Sequence, residues 1–394
     1  MTSKPLVAGV GMTRFYKPSQ SPTWDALGAA AVRAALTDAG LDYCDVQQAY
    51  AGYVFANTTS AQTTLYQVGL TGIPIVSVNN ACASGSTALY LARQAVESGA
   101  VDVALALGFD QMPSGAIAAP NHIPAAHADL MADARLSLQP TDPDAPIAAQ
   151  LFGGAGREYQ QLYGTDAATF AQLQVKARRH AANNPLALFT APLTVDEILQ
   201  SPPLYGPLTR LQACPPTCGA AAALIVSPAL ARRRGLTGLI EIVAQTMTSD
   251  TPDAVEHPSM IDIVGADMTR RAADKVYELA GVGPSAAQVV ELHDCFTTAE
   301  AIFAEALGLC GAGEIAQMVA DGDNTYGGQY VVNPSGGLLS KGHPLGATGL
   351  AQCYELVQQL RGNADKRQVE HATHALQHNA GLVGACVVTM YRRA

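Results

Sequence analysis

Ile75-Val76-Ser77-Val78-Asn79-Asn80-Ala81-Cys82-Ala83-Ser84-Gly85 runs from a short apolar stretch into a helix by way of a cysteine. The first four residues are mostly β-branched and read as a strand. From about Ser84 to Ser98 the residues Ala88, Leu91, Ala92, Ala95 and Val96 recur at helical spacing, and Gly99 is placed to end the helix. The apolar run from Val101 to Gly108 reads as the next, buried strand. Strand, turn, helix and strand in that order predict an α/β layered architecture. Cys82 then stands between a strand and a helix N-terminus, where free N–H groups and positive potential favour a thiolate and can stabilise an oxyanion. The competing reading is a small, inert buried side chain, the commoner fate of a free cysteine.

The second half carries the same arrangement. Val289-Val290-Glu291-Leu292 reads as a strand and His293-Asp294-Cys295-Phe296 as the turn, with a helix from about Thr298. Thr297 and Glu300 are spaced as a capping box. Cys82 and Cys295 lie more than half the chain apart, and the pattern reads as an internal duplication of two βα-rich halves. Between them, residues from about 112 to 215 have a different texture: many prolines, few strands, and amphipathic helical patches near 155–162 and 170–183. This stretch reads as an inserted lid or substrate-binding subdomain. Gly219–Val226 returns the chain to the core as a strand. The expected division is 1–235, with the insertion at about 113–215, and 236–394.

The 394 residues leave room for two or three domains. With 33 acidic against 23 basic residues the net charge is −10, which argues against tracking of a nucleic-acid backbone. Only 14% of residues are charged and 48% are hydrophobic, a balance suited to an oligomer that hides part of its surface. No charged residue occurs between Asp45 and Arg93. That gap is no membrane span, because Asn57, Thr58, Thr59, Ser60, Gln62, Asn79 and Asn80 interrupt it. Its expected place is the buried centre of the first half, leading to Cys82. No secretory leader and no peroxisomal C-terminal tripeptide are visible. The 8 scattered cysteines suit a reducing compartment, so a soluble, cytoplasmic protein is expected.

A second candidate centre is the stretch from Asn333-Pro334-Ser335-Gly336-Gly337 to Gly342-His343-Pro344-Leu345-Gly346-Ala347-Thr348-Gly349. It places His343 in a glycine-rich turn ahead of a helix, where a neutral imidazole could take a thiol proton. A satisfied surface histidine is the alternative. The glycine run lacks the spacing of a nucleotide phosphate loop. His293 and Cys295 offer an imidazole and a second thiol at a strand end. No paired Cys/His spacing completes a zinc site there, or around Cys214 and Cys218, so no metal is expected. His374, Gln377, His378, Asn379 and Gly381 fall between two apolar strands, and Gly381 could bring a backbone N–H to a site.

Taken together, Asn80–Gly85, Glu291–Phe296, Asp323-Asn324-Thr325-Tyr326-Gly327-Gly328, the 333–349 stretch and Gln377–Gly381 resemble the motifs of the thiolases, most closely the sterol-carrier-type subfamily. The resemblance covers nearly the whole chain and is densest from about Gly281 onward. Ordinary degradative and biosynthetic thiolases carry Asn-Glu-Ala-Phe where this chain has His293–Phe296. They also carry Cys-x-Gly where it has Asn379-Ala380-Gly381. The His-Asp-Cys-Phe form moves the second thiol to Cys295. One departure is Cys218, where relatives often have Asp.

The resemblance implies a thiolase fold of two similar βαβαβαββ halves in an α-β-α-β-α layering, with an inserted loop domain that binds coenzyme A. It implies Cys82 as the acylated nucleophile, His343 as its activator and a ligand of the thioester oxygen, and Cys295 as the acid/base toward the second substrate. His293 would contribute to one oxyanion hole, and the N–H groups of Cys82 and Gly381 would form another. The implied reaction is thiolysis of a 3-oxoacyl-CoA to acetyl- or propionyl-CoA and a shortened acyl-CoA, or the reverse Claisen condensation. Coenzyme A is then a co-substrate and no resident cofactor is expected. A homodimer or homotetramer is implied, with a small partner protein in some relatives. Coenzyme A carries phosphates, so in an acidic chain any basic patch must be local, and the insertion's Lys176, Arg178 and Arg179 are the first place to look for one. No fused sterol-carrier domain is expected. The rival readings are an acyltransferase or aldolase-like enzyme working beside a small partner, and a lipid- or CoA-binding protein without turnover.

Overall fold

A computed structural model describes residues 4–115, 140, 142, 144–256, 259–382 and 384–394. Ten strands form the main sheet: β1 (Leu6–Met12), β2 (Gln48–Gly52), β3 (Ile75–Val78), β4 (Val103–Gln111), β5 (Cys218–Val226), β6 (Ile240–Thr248), β7 (Val289–Glu291), β8 (Val331–Val332), β9 (His374–Gly381) and β10 (Ala385–Arg393). The longer helices are α1 (Trp24–Ala39), α2 (Ser84–Glu97), α3 (Ile147–Tyr163), α4 (Ala167–Ala181), α5 (Ala266–Ala280), α6 (Thr297–Ala306) and α7 (Thr348–Arg361).

The strand order is β8-β7-β9-β10-β6-β1-β5-β4-β2-β3. In the first half β2 is parallel to β3 and β4, and β5 is antiparallel to β4 and β1. In the second half β7 is parallel to β8 and β9, and β10 is antiparallel to β9 and β6. Each half thus repeats the other strand for strand, as the expected duplication requires. The two five-stranded sheets are joined where Leu6 and Val7 of β1 face Glu241 and Ile240 of β6.

The layers follow from where the apolar side chains go. One core packs α1 against the first sheet, through residues such as Val32, Leu36, Leu105 and Leu224. A middle core holds α2 and α7 between the two sheets, with Leu89, Leu356, Ala106, Ile225, Ala375 and Tyr391 all buried. The third packs α5 and α6 on the far side of the second sheet. Burial on both faces explains why the central strands read as near-continuous apolar runs.

Three expectations change. The uncharged stretch is buried only in part: β2 is interior, but Val76 on β3, the outermost strand of the sheet, is exposed, as are Tyr66 and Leu70 ahead of it. The capping box before α6 does not form. Phe296 is the N-cap without a side-chain bond, and Glu300 instead forms a buried ion pair with Lys176 of α4. A buried ammonium needs a carboxylate more than an exposed-style cap does. The same pairing removes Lys176 from any surface patch. Arg178 is buried too, its guanidinium 4.4 Å from the Phe189 ring centroid, and Arg179 donates to Thr325 Oγ1 at 3.0 Å.

The described part of the insertion folds over the second half. Phe152 of α3 stacks on Phe296 at 5.1 Å, and Thr298 of α6 donates to Phe152 O at 2.9 Å. Residues 116–139, 141 and 143 of the expected insertion lie outside the described residues. Cys218 begins β5 as a regular strand residue, paired with Gln111 and with its Sγ 3.5 Å from Met112 O. Among the described residues, no helix is long and apolar enough to cross a membrane.

Candidate active site

Cys82 sits in the turn between β3 and α2, at half-buried depth. The residue before it, Ala81, has φ +47°, a left-handed backbone that an alanine adopts only when its surroundings impose it. They do so here by hydrogen bonds. Ala81 N–H donates to Asn79 Oδ1 at 3.1 Å, and Ser84 Oγ donates to Ala81 O at 2.7 Å while accepting from Asn80 N–H at 2.9 Å. The end of β9 braces the turn from the other side. A Cβ built on Gly381 would lie 2.2 Å from Asn80 O, so only glycine lets the strand pass this close.

His343 follows a π-helical turn, Gly337–Lys341, whose groups are anchored by buried acids of the second half. Leu338 N–H donates to Asp294 Oδ1 at 2.7 Å, and Lys341 Nζ lies 3.1 Å from Glu291 Oε2. Glu291 also accepts from Ser335 N–H at 3.1 Å and from its hydroxyl at 2.8 Å. From the first half, Thr217 Oγ1 accepts from His343 N–H at 3.2 Å, and Asp110 accepts from Gly346 N–H at 2.5 Å. The loop carrying His343 is thus tied to both halves of the molecule.

The protonation of His343 follows from its neighbours. Its Nδ1 lies 2.7 Å from Thr348 Oγ1, whose hydroxyl donates to Pro344 O at 2.9 Å. With that one proton committed, Thr348 accepts, and Nδ1 of His343 is the N–H. Nε2 therefore presents a lone pair, the form a general base requires. One ligand-type atom each from Cys82, His293 and His343 lie within 4.8 Å of one another. The two imidazole rings meet edge to face, with centroids 5.1 Å apart. That spacing could also be spanned by a soft divalent cation if all three groups offered lone pairs.

Burial sets the resting charges. It pushes the Cys82 thiol up to about 12, with the nearby Asp110 adding to the effect, against hydrogen bonds from the backbone of Leu382 and of Cys82 itself. It lowers His343 to about 3. His293 is held well below its ordinary value by burial, with His343 and His378 beside it. The free protein therefore rests as neutral thiol and neutral imidazole. A raised thiol pKa means less thiolate at neutral pH. Alkylation of Cys82 by iodoacetamide should then rise about tenfold per pH unit between about pH 7 and 10. Peptide mass spectrometry of the labelled protein checks this, and a rate already level at pH 7 would refute the neutral pair.

Cys295, after the end of β7, is buried. Its thiol is pushed well up by burial, then by the thiols of Cys214 and Cys82. Cys214 N–H donates to Cys295 O at 2.9 Å, which brings a third thiol to the site. The structure thus gathers all five residues singled out from the sequence: Cys82, His293, Cys295, His343 and Gly381. Sequence reasoning missed Cys214, Thr348 and Asp110. The one legible signal was Asp110 itself, a charge inside the apolar strand β4, where it accepts from Val54 N–H at 3.0 Å and Phe55 N–H at 2.7 Å.

Known proteins are similar to this chain. Residues 6–228 match the family description "Thiolase, N-terminal domain", and residues 249–391 match "Thiolase C-terminal domain-like". The chain belongs to the thiolase family. It is 48% identical to "Sterol carrier protein 2" of Rattus norvegicus over 391 residues, covering 98% of this chain and 71% of that protein. It is 34% identical to "Benzoylsuccinyl-CoA thiolase subunit BbsB" of Thauera aromatica, covering 99% of this chain and 97% of that one. Among solved structures, an "Ltp2-ChsH2(DUF35) aldolase" chain superposes with a TM-score of 0.83 over 99% of this chain and 98% of its own, at 24% identity, which speaks for the thiolase fold.

Proposed function

We propose that this thiolase-family acyltransferase cleaves 3-oxoacyl-CoA with coenzyme A through an acyl-Cys82 intermediate, or runs the reverse condensation. The observation that carries the reading is one cluster of side chains that brings together a thiol, an imidazole nitrogen with a free lone pair, and a second thiol. His343 Nε2 takes the Cys82 proton, and the thiolate attacks the 3-oxo carbon. The bond between the 2- and 3-carbons breaks, and its electrons pass to the thioester enolate, whose oxygen needs hydrogen-bond donors in this dry site. Cys295 gives the enolate carbon its proton. The thiol of coenzyme A then gives its proton to the Cys295 thiolate and takes the acyl group from Cys82, whose thiolate recovers its proton from His343, a two-stage course that predicts ping-pong kinetics.

The insertion, about 113–215, covers the substrate in this reading, and the protein works as a cytoplasmic homodimer or homotetramer. Eight free cysteines suit that compartment. The exposed Tyr66, Leu70 and Val76 in the uncharged stretch around the outer strand supply apolar surface for such an assembly. Incubation with acetoacetyl-CoA alone should leave an acetyl mass on Cys82, and adding coenzyme A should give two acetyl-CoA per substrate. Substrate bound without any covalent adduct would favour a binding protein instead. A panel from acetoacetyl-CoA to long, branched and steroid-side-chain 3-oxoacyl-CoAs then ranks the substrates. For Cys295→Ala, acylation by acyl-CoA should persist while cleavage falls by about 10²–10⁴-fold. Equal loss of both half-reactions would remove Cys295 from the proton step.

A further inference from the structure

We infer that Asn379 is a positioning residue that fixes the tautomer of His293, so that Nε2 carries the ring proton and is the ring's donor. The inference rests on the thiolase reading above, in which the enolate oxygen needs such a donor.

The geometry is a chain of buried groups with no exposed member. His293 Nδ1 lies 3.0 Å from Asn379 Nδ2. An amide's two ends are alike in shape, so the far end decides which one faces the imidazole. Asn379 Oδ1 is 2.8 Å from Ser86 Oγ, and Ser86 Oγ is 3.0 Å from Gln377 Nε2. Gln377 is oriented by three groups. Its Nε2 donates to Gly349 O at 2.6 Å, an oxygen that can only accept, and lies 3.4 Å from Gln352 Oε1, while its Oε1 accepts from the Tyr391 hydroxyl. With an amide N–H of Gln377 directed at it, Ser86 spends its single proton on Asn379 Oδ1. Asn379 then turns its NH₂ to His293, Nδ1 can only accept, and the one proton of the neutral ring sits on Nε2.

Ser86, Gln377 and Asn379 are fully buried and His293 nearly so, which leaves no water to take over a link. Nor is there slack for the amide to swing. A Cβ on Gly349 would lie 2.0 Å from Ser86 Oγ and 2.6 Å from Asn379 Oδ1. The result is two neighbouring imidazoles in opposite tautomers. His343 offers a lone pair and His293 an N–H, which suits one to the thiol proton and the other to a developing oxyanion. The same proton keeps Cys82, His293 and His343 from presenting three lone pairs to a soft cation.

Neutron diffraction from the deuterium-exchanged wild-type protein tests this without any substitution. Deuterium on Nε2 of His293 and on Nδ1 of His343 is the expected result, and deuterium on Nδ1 of His293 overturns the inference even in an active enzyme. Asn379→Asp supplies a kinetic test. A carboxylate can only accept, so Nδ1 becomes the N–H and Nε2 is protonated only in the imidazolium. The variant's kcat should fall tenfold per pH unit above a new ionisation absent from the wild type, reaching a loss of about 10²–10³-fold, with KM little changed. Of the titratable neighbours, His343 and His378 are held down to about 3 by burial and Cys82 is pushed up to about 12, so none supplies such a step. A variant profile parallel to the wild type overturns the role. Failure of wild-type Cys82 to acylate would instead remove the thiolase reading and leave the hydrogen positions as they are.

Discussion

Mixed with acetoacetyl-CoA, the Cys82→Ala protein should gain no acetyl mass, and its turnover should fall by about 10⁴-fold or more. The magnitude follows from the route. Without the sulfur there is no covalent acyl carrier, and the neighbouring thiols offer no equivalent replacement. Cys295 and Cys214 are near enough to influence the Cys82 thiol's surroundings, but both are buried, and burial pushes both thiols up. The substitution should leave the fold intact, because the Asn79–Ser84 turn is held by groups other than the sulfur. Circular dichroism alongside the mass measurement separates the two effects. Normal turnover by the folded variant would sink the proposed function.

Lys341→Met should be the most damaging change to stability, costing about 3–5 kcal/mol in urea denaturation. Lys341 is almost fully buried and reaches Glu291, which is itself fully buried at the end of β7. Burial pushes Glu291 up, and the Lys341 charge is what pulls it back. Removing the ammonium leaves a carboxylate with only Ser335 to satisfy it. The double variant Lys341→Met/Glu291→Gln should recover at least half of the loss, because a glutamine still accepts from Ser335 and carries no charge. No recovery would mean that the turn before His343, and not the ion pair, was what failed.

Local signals proved readable. The strand–turn–helix at Cys82 and its partner at Cys295 were visible because each is a short contiguous segment whose residues set their own backbone. The glycine-rich approach to His343 was visible for the same reason. The Thr297–Glu300 spacing misled, since a local cap was offered and a distant ammonium, Lys176, took the carboxylate instead. Lys176 and Arg178 of α4 lie buried while Arg179 stays exposed, because sequence shows charge but not depth. The uncharged stretch was half right, as its interior strand and its exposed edge strand share one composition.

Sequence alone determined the duplicated α/β plan, the family resemblance and the identity of the five candidate site residues, because each is written in contiguous patterns of apolar spacing, turn residues and motif. Only the tertiary structure decided how those residues are protonated. Cys82 and His343 are neutral because of what surrounds them. His343 is a base because Thr348 has already given its proton to Pro344 O, and His293 is a donor through a relay of Asn379, Ser86, Gln377 and Gly349. The His343–Thr348–Pro344 bonds are local, but burial and the hydrogen-bond direction at His293 are set by groups far apart in the chain. Both come into being only when the two halves close on each other.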